Sequence, residues 1–289
     1  MDFNFTKMHG LGNDMVLIDD RECRISDIHT FAQCILHRNT GVGADSLLIV
    51  RNSDIADIRM LILNIDGSEA EMCGNGIRCF VKFVIEKGII SLCEDLLARD
   101  GKHSVDFTVE TLSGIKKPHA EVENGEVVSI GVDMGEPRLD CADIPVAAEG
   151  EFREKNLYSH GRRFTVTSVN TGVPHTVAFV SDAALTEVEY YGRDIEHSPI
   201  FPKRTNVDFV QIIDRENIIM RAWERGCGCT MCCGTGACAS AVACILAGKT
   251  ERRVNVHVEI GTLIIEWRQD NTLYMTGPAK VVCDGVYRY

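Results

Sequence analysis

The chain has 289 residues, 45% of them hydrophobic and 25% charged, with a formal net charge of −12 at pH 7. That length can hold two domains with ordinary cores, and the acidity argues against a nucleic acid or an anionic membrane as partner. No apolar run is long enough to span a bilayer. The opening Met1-Asp-Phe-Asn-Phe-Thr-Lys is a strand pattern rather than a signal peptide, so the expected compartment is the cytoplasm. The 13 cysteines are odd in number and are expected to be reduced there.

Residues 3–8 alternate apolar and polar, turn through His9-Gly-Leu-Gly-Asn13-Asp14, and enter a second strand over 15–19. Such a loop can bring Asn13 to a site, although asparagine is also an ordinary turn residue. Ile28, Phe31 and Ile35 have helical spacing within 27–38. Gly41-Val-Gly43-Ala-Asp45-Ser46 turns into a strand over 47–50, and it lacks the Lys-Ser/Thr ending of a phosphate loop. An apolar strand over 60–64 then ends at Asn64 and enters Asp66-Gly-Ser-Glu-Ala-Glu-Met-Cys73-Gly74-Asn75-Gly76. Residues 77–87 predict a buried helix with Gly88 at its C-terminus. Cys73 thus lies where a turn opens a helix. Unpaired N–H groups and the helix dipole favour negative charge there. They favour a thiolate, and glycine lets an anion approach the amides of Gly74 and Asn75.

A short helix is expected over 91–98, a strand over 103–110, and a hairpin of 116–123 and 126–134 around Asn124-Gly125. Gly135-Glu-Pro-Arg138 marks a boundary between an N-terminal domain, 1–134, and a second, 135–276. The final strand, about 277–289, is expected to pack back onto the first domain. The stretch to His160 reads as irregular. Strands over 164–169 and 176–180 flank Asn170-Thr-Gly-Val173-Pro174-His175, a weak helix covers 188–195, and a strand over 205–213 begins beside Asn206. The first device then recurs. An apolar segment, 218–225, carries Glu224 and Arg225 into a Gly-rich turn, then Cys233-Gly234-Thr235-Gly236 and an Ala-rich helix, 237–247, closed by Gly248. Strands over 254–260, 263–268, 273–275 and 279–286 complete the pattern. One Cys-Gly-x-Gly is weak evidence, but two in equivalent contexts indicate a duplicated unit. Short strands with one buried apolar helix per half predict α+β domains, each a curved, mostly antiparallel sheet wrapped round its helix.

Cys229-x-x-Cys232 could be half of a zinc site or a redox pair, but no matching pair lies elsewhere, and no metal is expected. Cys23, Cys34, Cys79, Cys93, Cys141, Cys238, Cys244 and Cys283 read as small core residues. For Cys73 and Cys233 the attractive chemistry is acid–base. Cysteine titrates at about pH 8.5, so one thiolate and one thiol can coexist near neutrality. A thiolate on one face of a bound carbon and a thiol on the other can remove a proton and return another, inverting that carbon. Helix N-termini can hold a carboxylate and stabilise the enolate-like charge.

The two Cys segments, with Trp223-Glu-Arg-Gly before the second and Lys7-Met-His-Gly-Leu-Gly-Asn13-Asp14 at the start, resemble the signatures of the diaminopimelate epimerase family over the whole chain. The resemblance implies a cofactor-independent isomerase of two pseudo-symmetric domains acting on a small amino-acid substrate. It would convert LL-diaminopimelate to the meso form in lysine and cell-wall precursor synthesis. By the match, Cys73 and Cys233 are the acid/base pair, and His175 and Glu224 tune them. Gly74, Asn75, Gly234 and Thr235 cradle the α-carboxylate, and Asn13, Ser46, Asn64, Asn206, Glu224 and Arg225 contact substrate. A homodimer is the assembly expected. The chain departs from the family pattern at Ser46, often Gln, at Val173, usually Asn, at Cys227 and Cys229, and at Cys232. The alternatives are a related racemase, epimerase or isomerase for another amino acid, and a non-catalytic thiol or zinc-binding protein.

Overall fold

The computed structural model describes residues 1–71, 73–90 and 101–289. The helix expected over 91–98, and Cys93 with it, lie outside the described residues. The chain divides into two units, Met1–Val132 with Gly277–Tyr289, and Asp133–Thr276.

In the first unit, β1 (Asp2–Gly10) and β2 (Asn13–Asp19) form a hairpin, followed by α1 (Ile28–Leu36), β3 (Ser46–Arg51), β4 (Ile58–Asn64) and α2 (Gly74–Glu86). Then come β5 (Lys102–Asp106), β6 (Val109–Thr111), β7 (Gly114–Lys116), β8 (His119–Glu123) and β9 (Glu126–Gly135), with β19 (Lys280–Arg288) closing the chain. Seven strands order as β19-β1-β2-β3-β4-β6-β7; β2/β3 and β4/β6 are parallel and the other neighbours antiparallel. The expected strand over 103–110 is therefore two, β5 and β6, and β5 pairs β8 instead of extending β6. The β1–β2 turn places Leu11 and Gly12 at φ 54° and 91°, and the β8–β9 turn places Asn124 and Gly125 at 52° and 83°. Positive φ at both central residues gives a hairpin turn whose twist suits the strands.

Asp27 caps α1 by accepting from the amides of His29 and Thr30. The α1 face of Phe31, Ala32, Ile35 and Leu36 packs with Phe3, Val16, Leu47 and Leu63. α2 is buried from Asn75 to Ile85, the condition of a central helix. Even Arg78 is fully enclosed; its guanidinium donates to Gly74 O, Asn75 Oδ1 and Pro278 O.

The second unit runs β10 (Lys155–Ser159), β11 (Arg162–Asn170), β12 (Pro174–Phe179), α3 (Val188–Glu196), β13 (Asn206–Ile212), β14 (Asn217–Glu224), β15 (Gly228–Thr230), α4 (Gly234–Leu246), β16 (Arg253–Val258), β17 (Gly261–Trp267) and β18 (Leu273–Gly277). Its strands order β10-β11-β12-β13-β14-β16-β17-β18, with β15 paired to the end of β14. β12/β13 and β14/β16 are parallel and the rest antiparallel. α4 touches β11, β12, β13, β14, β16 and β17. Its alanines, cysteines and glycines let a sheet curve tightly round it.

Three further expectations need correction. The stretch before His160 is not wholly irregular, because β10 pairs with β11 through Lys155↔Val166 to Ser159↔Arg162. The Gly-rich turn contains β15, formed because Gly226 and Gly228, at φ 83° and 84°, fold the chain back on β14. The thiols also divide. Cys79, Cys141, Cys238 and Cys244 are buried as expected, but Cys23 and Cys283 are exposed and Cys34 is half-buried. Burial pushes Cys79 and Cys244 from 9.0 up to about 12. The folded protein therefore holds these protons at pH values where the unfolded chain releases them. Stability is fully present below about pH 9 and should fall as pH rises towards 12, by up to about 1.4 kcal/mol per pH unit for each thiol. Denaturant titrations across that range should show the loss, and Cys244→Ala should flatten it; a slope unchanged in that variant contradicts the assignment.

Candidate active site

Both signature cysteines are helix N-caps with extended backbone, Cys73 at φ −140°, ψ 115° and Cys233 at φ −118°, ψ 116°. In each, Sγ accepts from the amide three residues on, Gly76 N at 3.3 Å and Gly236 N at 3.4 Å. The helices thus start at Gly74 and Gly234, three residues before the apolar runs begin, because each thiol replaces the usual hydroxyl or carboxylate cap. The first-turn amides of Gly74, Asn75, Gly234 and Thr235 have no intrahelical acceptor.

Around Cys73, Sγ lies 3.6 Å from Asn13 Oδ1, and Asn13 Nδ2 donates to Asp45 Oδ2 at 2.8 Å. The tight β1–β2 turn is what delivers Asn13 to the thiol. The Asn75 side chain is occupied, accepting from Arg78 at 2.8 Å, so this residue offers its backbone amide. Ser46 and Asn64 are cross-strand partners on β3 and β4. The Asn64 amide group donates to Ser68 Oγ at 3.0 Å, and that hydroxyl donates to Asp66. The Asp66-Gly67-Ser68 turn therefore orients Asn64.

Around Cys233 the structure joins residues 60 positions apart. Sγ lies 3.3 Å from Thr235 Oγ1, which lies 2.9 Å from His175 Nε2. His175 Nδ1 lies 2.7 Å from Asp208 Oδ2, and both side chains are fully buried. Glu224 accepts from the Thr230 hydroxyl on β15. Asn206 donates to Pro174 O at 2.9 Å and accepts from Arg225 N at 2.8 Å. It therefore ties the His175 loop to the β14 turn. Arg225 is exposed and donates to Lys203 O at 2.8 Å, while Val173 is 37% exposed.

At Cys233 burial opposes the helix N-terminus. Burial pushes its pKa well above the usual thiol value; the Glu224 and Asp208 carboxylates raise it further, while the Thr235 hydroxyl and Gly236 amide pull it down. Desolvation and two acids outweigh one helix end, so Cys233 rests as the neutral thiol. Sequence reasoning missed Asp208 and Thr230. Asp208 had a signal: Asn206, Asp208 and Val210 share one face of a strand, and an acid within Val-Asp-Phe-Val is out of place unless it serves a partner. Among the described residues, no three His, Cys, Asp or Glu side chains are arranged to hold a metal ion, and no helix is long and apolar enough to cross a membrane.

The family model described as diaminopimelate epimerase matches residues 5–139 and 167–282. The chain is 47% identical over 282 residues to the diaminopimelate epimerase of Caldanaerobacter subterraneus subsp. tengcongensis, covering 97% of this chain and 98% of that one. It is 46% identical to that of Moorella thermoacetica, covering 98% of each. Among solved structures, a phenazine biosynthesis protein of the PhzF family from Bacillus anthracis aligns with TM-score 0.71 and 16% identity over 100% of both chains. A hydroxyproline epimerase from Agrobacterium vitis aligns with TM-score 0.66 and 14% identity, covering 99% of this chain and 90% of that one. At those identities the likeness is one of fold alone. With matched stretches that include both cysteine caps, and with relatives aligned along nearly the whole length, the chain belongs to the diaminopimelate epimerase family.

Proposed function

We propose that this protein interconverts LL- and meso-diaminopimelate with Cys73 and Cys233 as the acid/base pair and without a cofactor, as a step in lysine and cell-wall precursor synthesis. The observation that carries this reading is the pair of equivalent N-cap thiols, each heading a buried, glycine-started helix. One thiolate removes the α proton, and the other cysteine, as a thiol, protonates the opposite face. The roles exchange for the reverse reaction. A neutral Cys233 suits a proton donor. The α-carboxylate is held by the first-turn amides of Gly74, Asn75, Gly234 and Thr235, whose dipoles also stabilise the charge that develops on proton removal. That stabilisation is the task an electron-sink cofactor would otherwise perform.

The remaining matched residues serve recognition. Arg225 offers a planar fork for the distal carboxylate, with Asn13, Ser46, Asn64 and Glu224 presenting polar groups to the substrate. Asn206, both ends of whose amide are engaged, acts by fixing Arg225 in place. The test is chromatographic separation of stereoisomers after purified protein, stripped of pyridoxal phosphate and metals, is incubated with LL-diaminopimelate, lysine and proline separately. Conversion of diaminopimelate to an LL/meso mixture, with far slower turnover of the others, is the expected result. Faster turnover of an amino acid lacking the distal carboxylate contradicts the substrate assignment.

A further inference from the structure

The buried pair His175 and Asp208 is joined to Cys233 by the hydroxyl of Thr235. We propose that Asp208 is a positioning residue for Cys233, acting through His175 and Thr235. Its carboxylate keeps a proton on His175 Nδ1, so that Nε2 can receive one passed on from the thiol. The inference rests on Cys233 being an acid/base group.

The directions of the bonds follow from the groups. Oδ2 of an ionised Asp208 can only accept, so His175 Nδ1 must donate across the 2.7 Å contact. A neutral imidazole then has a lone pair on Nε2, and the Thr235 hydroxyl donates to it across 2.9 Å. The Thr235 oxygen is left to accept from the Cys233 thiol at 3.3 Å. Transfer along this line balances without solvent. The S–H bond of Cys233 breaks as a new O–H bond forms on Thr235. The original Thr235 O–H bond breaks as an N–H bond forms at His175 Nε2. The products are a thiolate and an imidazolium beside the Asp208 carboxylate, and the reverse transfer restores the start.

Such a line answers a need of two-base inversion. Each turnover leaves the two cysteines with exchanged protonation states, and one of them must be reset before the same direction can run again. Cys233 is only 6% exposed, so an internal partner for its proton matters. The carboxylate is built in rather than incidental. Parallel pairing sets Val177 against Asp208 and His175 against Asn206, which brings the acid up to the ring from the neighbouring strand. The other carboxylate oxygen, Oδ1, has no hydrogen-bond partner among the described residues and faces Gly236, where an added Cβ would lie 2.5 Å away. The charged groups acting on Cys233 are Glu224 from β14 and Asp208 from β13. The hydroxyls of Ser168 on β11, Thr176 on β12 and Thr205 just before β13 form their own neutral chain.

The experiment uses the full chain with Asp208→Asn, a substitution of the same shape. Its amide can donate to Nδ1 and so drive the His175 proton to Nε2, which closes the path. Expected is a fall in kcat for diaminopimelate on the order of 10²- to 10⁴-fold with KM little changed. The pH profile of kcat should shift, and Asp208→Glu should restore part of the rate. Nitrogen-15 NMR of labelled histidine should find His175 protonated at Nδ1 in the wild type and at Nε2 in the variant. Wild-type kcat and pH profile in Asp208→Asn, or a wild-type His175 protonated at Nε2, overturns the proposal. The NMR readout needs no substrate, so an Nδ1-protonated His175 in a protein inactive on diaminopimelate would sink the proposed activity and leave the relay standing. Should Asp208→Asn fail to fold, Thr235→Val against Thr235→Ser gives the same decision: valine should lose the rate and serine should keep most of it, and equal rates overturn the relay.

Discussion

Cys73→Ala or Cys233→Ala is expected to remove nearly all epimerisation, leaving less than about 1% of wild-type kcat. General acid–base groups contribute roughly 10²- to 10⁴-fold, and each thiol here is base in one direction and acid in the other. Neither loss can be covered by a neighbour. Cys232 is buried beside Cys233, but it lies outside the helix cap and cannot take the Gly236 amide in its place. The two variants should keep their fold, since alanine removes a sulfur with its cap bond, worth about 1 kcal/mol, and its contact with Asn13 or Thr235. They should differ in what survives. Cys233→Ala retains the Cys73 site and can still wash the α proton out into solvent without inversion. Stereoisomer chromatography alongside proton NMR in deuterium oxide separates the two activities. Wild-type turnover of either purified variant contradicts the assignment.

Gly236→Ala is expected to lower kcat by about 10²-fold or more, on the scale of an ångström-sized misplacement of catalytic groups. The new Cβ would lie 2.5 Å from Asp208 Oδ1, 3.1 Å from Asp208 Cγ and 3.2 Å from Cys233 Cβ. The carboxylate is short, fully buried and bonded to His175, so it cannot swing clear without breaking the 2.7 Å contact. Overpacking of this kind costs about 1–3 kcal/mol, more than the gain of up to about 1 kcal/mol that alanine brings to a helix. The equivalent change in the first unit is milder. A Cβ at Gly76 would sit 3.2 Å from Cys73 Cβ and 3.5 Å from Sγ, a few tenths of an ångström from comfortable contact. Gly76→Ala should therefore retain much more activity than Gly236→Ala. Equal losses in kcat, or equal losses in thermal stability, would mean that Asp208 is not the group being displaced.

The parts of the molecule legible in the sequence were those set by local pattern. Alternation gave β1, apolar runs gave β4 and β14, the Asn124-Gly125 pair gave a hairpin, and two apolar helices after Cys-Gly-x-Gly gave the duplicated architecture. What stayed hidden depends on partners distant in sequence. β10 is polar and largely exposed, and it is a strand because β11 pairs with it. β15 is three residues long and exists because two glycines reverse the chain. In the same way, a helix N-terminus argues for a thiolate at Cys233, but the environment is decided by Asp208 and Glu224, which arrive from β13 and β14. The Asn206 side chain suggested a substrate contact, and in the fold it braces the Arg225 backbone. A motif names the residues at a site; the register of strands decides what each one faces.

The most direct test of the two-thiol account is the early time course of LL-diaminopimelate conversion in deuterium oxide. With separate acid and base groups, a solvent-derived deuteron is delivered by the second thiol to the inverted face, while the first thiol can return the original proton to the face it left. Before much product accumulates, the meso product should carry deuterium at the inverted carbon and the recovered LL substrate should remain largely protonated. Deuterium appearing in recovered substrate as fast as in product would point to one group serving both faces, and the assignment of Cys73 and Cys233 as an acid/base pair would have to be abandoned.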